Sequence, residues 1–268
     1  MKILVTGSSS GIGHALTLAL LEAGHSVWGL ARSKQNHLDS NFTSSICDVA
    51  DWNSIESAAQ TIAKTWGKVD ALILAAGIQG EIAPGVKADP QAWSTTVRKN
   101  LEGTYFPIRA FTALLNTQGN RPKVVCFSGG GATKARVNFS AYACAKTAIV
   151  RLVETLAEEN PSFDINCIAP GAINTRLTDE VIQKGPSICG VKEYEEAVKQ
   201  KASGGQSLEK AIALIKWLLS ENSNGISGKL ISAQWDTWEK FPDSKALLQT
   251  SDIFTLRRIV PEDRLKSR

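Results

Sequence analysis

The stretch TGSSSGIG, residues 6–13, follows the apolar, β-branched run KILVT at residues 2–6 and opens a segment of helical periodicity. Gly7 permits a tight turn, Gly11 lets the backbone approach a pyrophosphate, and Gly13 allows close packing of helix on strand. Because N–H groups at a helix N-terminus attract anions, the stretch predicts a dinucleotide-phosphate site. Its candidate residues are Gly7, Ser9, Ser10, Gly11, Ile12 and Gly13. A glycine-rich turn without a ligand is the alternative that this stretch alone leaves open.

The same alternation of strand and helix continues along the chain. Further short apolar runs are HSVWGLA (25–31), SSICDV (44–49), DALILAAG (70–77), KVVCFS (123–128), DINCIA (164–169) and GKLISA (228–233), with helical segments at about 11–23, 90–115 and 139–159. This pattern predicts an α/β fold, namely a Rossmann-type doubly wound parallel sheet with helices on both faces. The length of 268 residues fits one domain over residues 1–268. Such a sheet binds ligands at the carboxyl ends of its strands.

The composition is typical of an ordinary soluble globular protein. Hydrophobic residues make up 43% and charged residues 21% of the chain, which argues against disorder. The 30 basic and 26 acidic residues are spread along the sequence, without the basic stripe that a nucleic-acid partner requires. We therefore expect no nucleic-acid partner.

Targeting and metal signals are also lacking in the sequence. The strand-like run at residues 2–6 leaves no room for a secretion signal, and the longest apolar run, residues 71–78, is less than half of the roughly 20 residues that a membrane helix needs. The five cysteines form no C-x-x-C pair, and His14, His25 and His37 have no partner at ligand spacing. We therefore expect a cytoplasmic protein with reduced thiols, no metal site and no membrane contact.

Two regions depart from the alternating pattern. Between residues 170 and 207 the sequence breaks into glycine-containing turns and the charged stretch KEYEEAVKQK (192–201), and long connections of this kind are commonly lids. We expect a substrate lid at about 176–206. Residues 236–268 carry little periodic signal and form a C-terminal extension with a basic end, which either a solvated terminus or an anionic partner would explain.

Tyr142 and Lys146 lie four residues apart in the predicted helix at 139–159. This spacing places the phenol and the ammonium on the same face, one turn apart. A nearby cation favours the ionised phenolate, so the pair can give or take a proton at a substrate oxygen. A Y-x-x-x-K pattern is common on helix surfaces, and it becomes informative because it follows the glycine-rich stretch.

The glycine spacing G-x-x-x-G-x-G resembles that of the classical short-chain dehydrogenase/reductase family. The resemblance covers most of the chain, through Asp48, Val49, Ala75, Ala76, Gly77, Asn100, Tyr142, Lys146, Pro170, Gly171 and Thr175. It implies an NAD(P)-dependent oxidoreductase that interconverts a carbonyl and a secondary alcohol, with Tyr142 as general acid and base. Lys146 would tune Tyr142 and bind the nicotinamide ribose, and Asn100 would hold a water that links Lys146 to solvent.

The resemblance also implies contacts with the cofactor. Asp48 and Val49 would contact the adenine, residues 75–77 would line the groove, and Thr175, after Pro170 and Gly171, would hold the nicotinamide carboxamide. Taken alone, Asp48 could be a turn residue and Thr175 a helix cap.

Arg32, at the end of the second strand, bears on the choice of dinucleotide. NAD enzymes place a carboxylate there to bind the ribose hydroxyls. Here the strand ends Leu30-Ala31-Arg32-Ser33, without an acid. Since Arg32 can donate charge-assisted hydrogen bonds to the 2′-phosphate of NADP, the sequence predicts NADP rather than NAD.

The sequence departs from the family pattern at two places. The family's substrate-binding serine normally lies thirteen residues before the tyrosine, and that position is Gly129. Ser128 would take its role if the loop shifts, backbone amides of the glycine run 129–131 could donate instead, or the site has lost catalytic power. Of these we favour Ser128. The second departure is Leu74-Ala75, where the family usually has paired asparagines.

Position along the chain suggests Gln79, Arg136 and Asn138 as substrate-lining residues, which favours a polar carbonyl or alcohol substrate. Two other functions stay open. A catalytically weakened member of the family would bind NADP(H) as a sensor or scaffold, and a dehydratase or epimerase of the extended branch fits less well because its glycine spacing differs. The resemblance further suggests a homodimer or homotetramer that packs through the two long helices.

Overall fold

The computed structural model describes residues 1–36 and 39–265. His37 and the end of the predicted C-terminal extension, residues 266–268, lie outside these residues. Within the described part of the chain, every helix is too short or too polar to cross a bilayer. The same residues contain no group of three or more His, Cys, Asp or Glu side chains placed to hold a metal ion.

Seven strands form one parallel sheet in the order β3-β2-β1-β4-β5-β6-β7. The strands are β1 (Lys2–Thr6), β2 (Ser26–Ala31), β3 (Phe42–Ile46), β4 (Ala71–Leu74), β5 (Lys123–Phe127), β6 (Asp164–Ala169) and β7 (Leu230–Ser232). The chain reverses its direction of travel across the sheet between β1 and β4, and doubly wound sheets bind ligands at such a switch point. The predicted α/β fold class is confirmed.

Helices cover both faces of the sheet. They are α1 (Gly11–Glu22), α2 (Trp52–Trp66), α3 (Pro90–Phe111), α4 (Ser140–Glu159), α5 (Arg176–Lys184), α6 (Pro186–Cys189), α7 (Val191–Ser203), α8 (Leu208–Leu219), α9 (Lys245–Thr250) and α10 (Pro261–Leu265). Side chains of a strand alternate between the faces. In β1, Leu4 packs in the core formed with α2, α3 and α4, whereas Ile3 and Val5 pack in the core formed with α1 and α8.

Strand β3 and helix α3 both end earlier than the sequence predicts, and a local turn follows each of them. Strand β3 ends at Ile46 rather than continuing to residue 49. The Asp48 carboxylate accepts a hydrogen bond from the Ala50 N–H at 3.0 Å, which turns the chain away from the sheet. Helix α3 ends at Phe111 and is followed by a single 3-10 turn, residues 112–114.

The two irregular regions of the sequence are more ordered than their patterns suggest. The expected lid contains the helices α5, α6 and α7. The C-terminal extension buries Trp238, Phe241 and Leu248 in the core on the α8 side of the sheet. Its Phe254 carbonyl accepts a hydrogen bond from the Leu230 N–H of β7 at 2.8 Å, so the extension runs beside the edge strand.

Candidate active site

The backbone of the glycine-rich turn packs directly against the backbone that follows β4, at the switch point of the sheet. Gly7 has a φ of 70°, and a Cβ atom there would lie 2.9 Å from the Ala76 Cα. A Cβ atom on Gly13 would lie 2.4 Å from the Gly7 carbonyl oxygen. The Ala76 N–H donates a hydrogen bond to the Thr6 hydroxyl at 3.2 Å, which ties the end of β4 to the end of β1. Only glycine fits these approaches, and they leave a cradle of bare backbone.

The N-terminus of α1 opens on this cradle. Ser10 is the N-cap residue, its side chain makes no capping hydrogen bond, and the first turn of α1 contains no acidic residue. Ser9, Ser10 and Gly11 are exposed. The first N–H groups of a helix lack partners within the helix and carry its positive dipole end. The cradle therefore fits the phosphates of a dinucleotide.

At the expected adenine end, Arg32 is exposed directly after β2. None of the ion pairs between described residues includes Arg32. The Asp48 carboxylate forms the turn that ends β3. Val49 is half-buried against α3, where a Cβ atom on Gly103 would lie 3.0 Å from its Cγ2. The contacts of Asp48 and Val49 with adenine stay predictions.

The segment after β6 reaches across to the glycine-rich turn. The Thr175 Cγ2 lies 3.6 Å from the point that a Cβ atom on Gly11 would occupy. The Thr175 hydroxyl accepts a hydrogen bond from the Leu177 N–H at 3.3 Å and caps α5. Gly171 has a φ of 98°, and the Pro170 carbonyl accepts a hydrogen bond from Gln234 Nε2 at 3.0 Å. Thr175 is therefore a helix cap that also faces the cradle.

Tyr142 and Lys146 meet the carboxyl ends of β4 and β5. Both side chains are buried, and the Lys146 Nζ lies 5.6 Å from the centre of the Tyr142 ring. The Lys146 ammonium donates a hydrogen bond to the Phe127 carbonyl, the last of β5, at 3.0 Å. A Cβ atom on Gly77 would lie 3.0 Å from the Asn100 Oδ1 and 3.7 Å from the Lys146 Nζ. The fold thus brings four predicted residues, Tyr142, Lys146, Gly77 and Asn100, into one cluster.

Asn100, fully buried in α3, fastens the loop after β4. Its Oδ1 accepts a hydrogen bond from the Ile78 N–H at 3.2 Å, and its Nδ2 donates to the carbonyls of Ile78 and Thr96 at 3.0 and 2.9 Å. The amide thereby holds the backbone next to Gly77. Its role toward a water stays a prediction. Leu74, at the first of the two departing positions, is buried in the sheet core.

Gly129 lies against the phenol, and the buried Ser128 hydroxyl makes no hydrogen bond with it. A Cβ atom on Gly129 would lie 2.5 Å from the Tyr142 oxygen and 3.0 Å from its Cε1. The Ser128 hydroxyl is enclosed beside the Cys167 thiol and has no hydrogen bond of good geometry with the described residues. Burial raises the pKa of the Cys167 thiol to about 12, so this neighbour is uncharged.

A family model described as short chain dehydrogenase matches residues 1–185 of the chain. The chain belongs to the short-chain dehydrogenase family. The match spans the glycine-rich turn, Asn100, Tyr142, Lys146 and Thr175, which are the residues on which the resemblance rests.

Known relatives of this dehydrogenase include two curated proteins. The short chain dehydrogenase mpl6 of Monascus purpureus is 29% identical over 266 residues, which cover 92% of this chain and 85% of that protein. The levodione reductase of Leifsonia aquatica is 28% identical over 244 residues, which cover 85% and 91%. These relatives are named dehydrogenase and reductase, and the protein is an oxidoreductase of this family.

A solved short chain dehydrogenase structure from Shigella flexneri 2a, complexed with NADP, has the same fold. It superposes with a TM-score of 0.70 at 23% sequence identity, covering 87% of this chain and 96% of that chain. At this identity the likeness shows the fold alone.

The loop in front of Tyr142 is bonded to α6 and α7, which lie in the segment expected to form a lid. The Arg136 guanidinium donates to the Glu193 carboxylate of α7 through Nε at 2.9 Å and Nη2 at 2.8 Å, and it stacks 3.7 Å above the centre of the Phe139 ring. Asn138, with a φ of 67°, donates a hydrogen bond to the Ile188 carbonyl of α6 at 3.0 Å. Sequence reasoning missed Glu193 because nothing distinguishes it from the other acids of its charged stretch.

These contacts bear on the predicted substrate-lining residues. Arg136 Nε and Nη2 are bonded to α7 and Asn138 Nδ2 to α6, so these groups are already engaged within the protein. The substrate-lining role of both residues stays a prediction. Gln79 is buried, and its Nε2 has no hydrogen-bond partner among residues 1–36 and 39–265. Of the three predicted residues, Gln79 alone has a buried side-chain polar atom without a hydrogen-bond partner among the described residues.

Restoring the family's serine at position 129 is expected to lower activity. The Cβ atom of Gly129→Ser would lie 2.5 Å from the Tyr142 oxygen and push the phenol away. A displacement of about 1 Å in a catalytic group can cost on the order of a hundredfold in rate. We expect a kcat loss of this size for both Gly129→Ser and Gly129→Ala in a steady-state assay with NADPH.

Gly130→Ala is the matched control for this prediction. Its Cβ atom would make only ordinary contacts, the nearest at 3.6 Å from the Arg136 Cδ, so its kcat should stay close to that of the wild type. A Gly129→Ser variant that is as fast as the wild type or faster would contradict the prediction.

Proposed function

We propose that this protein is an NADP(H)-dependent oxidoreductase that interconverts a carbonyl compound and a secondary alcohol. The observation that carries the proposal is the buried pair of Tyr142 and Lys146. Lys146 lies 5.6 Å from the centre of the phenol ring and is hydrogen-bonded to the end of β5. Membership in the short-chain dehydrogenase family supports the same reaction class.

In the proposed reaction, Tyr142 moves the proton. Its O–H donates the proton to the carbonyl oxygen in reduction, and its phenolate removes the proton of the alcohol in oxidation. The Lys146 ammonium lies beside the phenol ring, and Gly77 and Asn100 pack next to it at the end of β4. When bound, the dinucleotide supplies or accepts the hydride at the reacting carbon.

The residues proposed to hold the dinucleotide run along the carboxyl ends of the strands. N–H groups of the glycine-rich turn would bind the pyrophosphate, residues 75–77 would line the groove, and Thr175 would hold the nicotinamide carboxamide. The full set is Gly7, Ser9, Ser10, Gly11, Ile12, Gly13, Arg32, Asp48, Val49, Ala75, Ala76, Gly77, Tyr142, Lys146, Pro170, Gly171 and Thr175.

Arg32 supports NADP over NAD. It is exposed at the end of β2, and the residues directly after this strand, 32–36, include no carboxylate to bind a free 2′-hydroxyl or repel a 2′-phosphate. The solved Shigella relative is complexed with NADP. We expect Arg32 to bind the 2′-phosphate.

Arg32→Gln should weaken NADPH binding roughly ten- to a hundredfold, because it removes one or more charge-assisted hydrogen bonds. The dissociation constant of NADH should stay unchanged, since NADH lacks the phosphate. Fluorescence titration with both dinucleotides measures the two effects, and Lys34→Gln, at another exposed basic residue of this loop, is the control. Wild-type protein that binds NADH as tightly as NADPH would contradict the assignment.

We further propose that α5, α6 and α7 act as a lid over a small-molecule substrate. The contacts of Glu193 and Ile188 with the loop in front of Tyr142 support a closed position of this lid. A homodimer or homotetramer through α3 and α4 stays a prediction from the family resemblance.

The reaction class is tested with a panel of carbonyl compounds and alcohols, followed by NADPH absorbance. Tyr142→Phe should lower kcat about a hundred- to ten-thousandfold on each compound that the wild type turns over, because the proton is lost with the hydroxyl. Tyr105→Phe removes the same atom from an exposed tyrosine of α3 and should leave kcat unchanged.

Equal rates for Tyr142→Phe and the wild type would overturn the role of Tyr142. The second candidate function, an NADP(H)-binding sensor or scaffold, is favoured by the glycine at position 129. Tight binding of NADPH without turnover of any compound of the panel would support it instead.

A further inference from the structure

Residues 129–132 form a tight turn directly in front of Tyr142. The Ala132 N–H donates a hydrogen bond to the Gly129 carbonyl at 3.2 Å, and φ is positive at Gly131, 99°, but not at Gly130. A hydrogen-bonded turn with positive φ only at its third residue is of type II. Its peptide bonds are trans, so the N–H of Gly130 points opposite to the Gly129 carbonyl. This N–H is therefore directed away from the inside of the turn.

The N–H groups of this turn's glycines are unused. No hydrogen bond between residues of the described part of the chain has the amide of Gly129, Gly130 or Gly131 as donor. Backbone N–H groups in folded proteins nearly always have an acceptor, which is protein, water or a ligand. An open donor beside a catalytic group is thus available to a substrate.

The turn brings this donor next to the phenol. The Gly129 backbone lies so close to Tyr142 that a Cβ atom would be 2.5 Å from the phenol oxygen. The Gly130 nitrogen is two bonds further along the chain than the Gly129 Cα. At Gly130 itself, a Cβ atom would have its nearest neighbour at 3.6 Å. A Cβ atom at Gly129 would therefore clash with the phenol, whereas a Cβ atom at Gly130 would make only ordinary contacts.

The Ser128 hydroxyl is less well placed to donate a hydrogen bond to a substrate. Its oxygen is enclosed beside Cys167, so a substrate cannot touch it without a change of side-chain conformation. The Ser128 N–H is also committed, because it donates to the Ile168 carbonyl of β6 at 2.8 Å.

We propose that the Gly130 N–H donates a hydrogen bond to the substrate oxygen, in place of the serine side chain at position 129 of the family pattern. The substrate oxygen would accept two hydrogen bonds, one from the Tyr142 O–H and one from the Gly130 N–H. Negative charge grows on this oxygen as the carbonyl is reduced, and a fixed amide dipole stabilises it. This proposal rests on the proposed function, since it needs a carbonyl or alcohol oxygen at Tyr142.

Gly130→Pro removes the N–H with little change to the turn. Proline is favoured at the second residue of a type II turn. We expect a kcat loss of about a hundred- to a thousandfold, the usual effect of deleting one preorganised donor. Gly130→Ala keeps the N–H and should lose far less kcat than Gly130→Pro. Melting temperature and NADPH binding by fluorescence should match the wild type in both variants.

Whether Gly130→Pro changes kcat or KM shows how the substitution lowers the activity. A lost transition-state contact lowers kcat with KM nearly unchanged, whereas a proline ring that blocks the substrate raises KM. A Gly130→Pro variant with the wild-type kcat, or with a change in KM alone, would overturn the proposal. A hundredfold loss for Ser128→Ala would overturn it too, because the donor would then be the hydroxyl.

Tyr142→Phe separates this proposal from the proposed function. If the wild type turns over and Tyr142→Phe does not, the proposed function stands, and a normal Gly130→Pro variant refutes the amide donor alone. If the wild type has no turnover on the panel, the proposed function fails and the amide donor fails with it.

Discussion

The hydrogen bond from the Lys146 ammonium to the Phe127 carbonyl fixes α4 across the end of β5. This one contact positions a buried cation at the mouth of the crevice and holds Tyr142 one turn before it. The loop after β5 lies so near to α4 that a Cβ atom at position 129 would meet the phenol oxygen of Tyr142 at 2.5 Å. The phenol in its present position is therefore compatible with glycine at position 129, where the family pattern has a serine.

A second close approach forms the other half of the site. The glycine-rich turn packs on the end of β4 through Gly7 and Ala76, and on itself through Gly13. Parallel strands bring all these loops to one edge of the sheet. The cradle for a dinucleotide and the Tyr142–Lys146 pair thus lie at neighbouring strand ends, joined through Gly77 and Asn100.

Features set by local periodicity could be predicted from the sequence. The strand–turn–helix unit, the fold class and the shared face of Tyr142 and Lys146 follow from spacing alone. Pairings between distant residues could not be predicted: Arg136 meets Glu193 across 57 residues, and Asn138 meets Ile188 across 50. The burial of Trp238 and Phe241 in the C-terminal extension could not be predicted either, because these side chains follow no helical or strand period. The position of the Ser128 hydroxyl depends on the turn that follows it, which spacing does not specify.

In the proposed enzyme, the phenol and the ammonium of α4 face the nicotinamide end of a dinucleotide bound across the sheet. A crystal structure of the protein grown with NADP(H) tests it most directly. We expect electron density for the pyrophosphate at the glycine-rich turn, the 2′-phosphate at Arg32, and the nicotinamide ring beside Tyr142, with Lys146 at its ribose. A dinucleotide bound elsewhere, or with its nicotinamide remote from Tyr142, would contradict the claim.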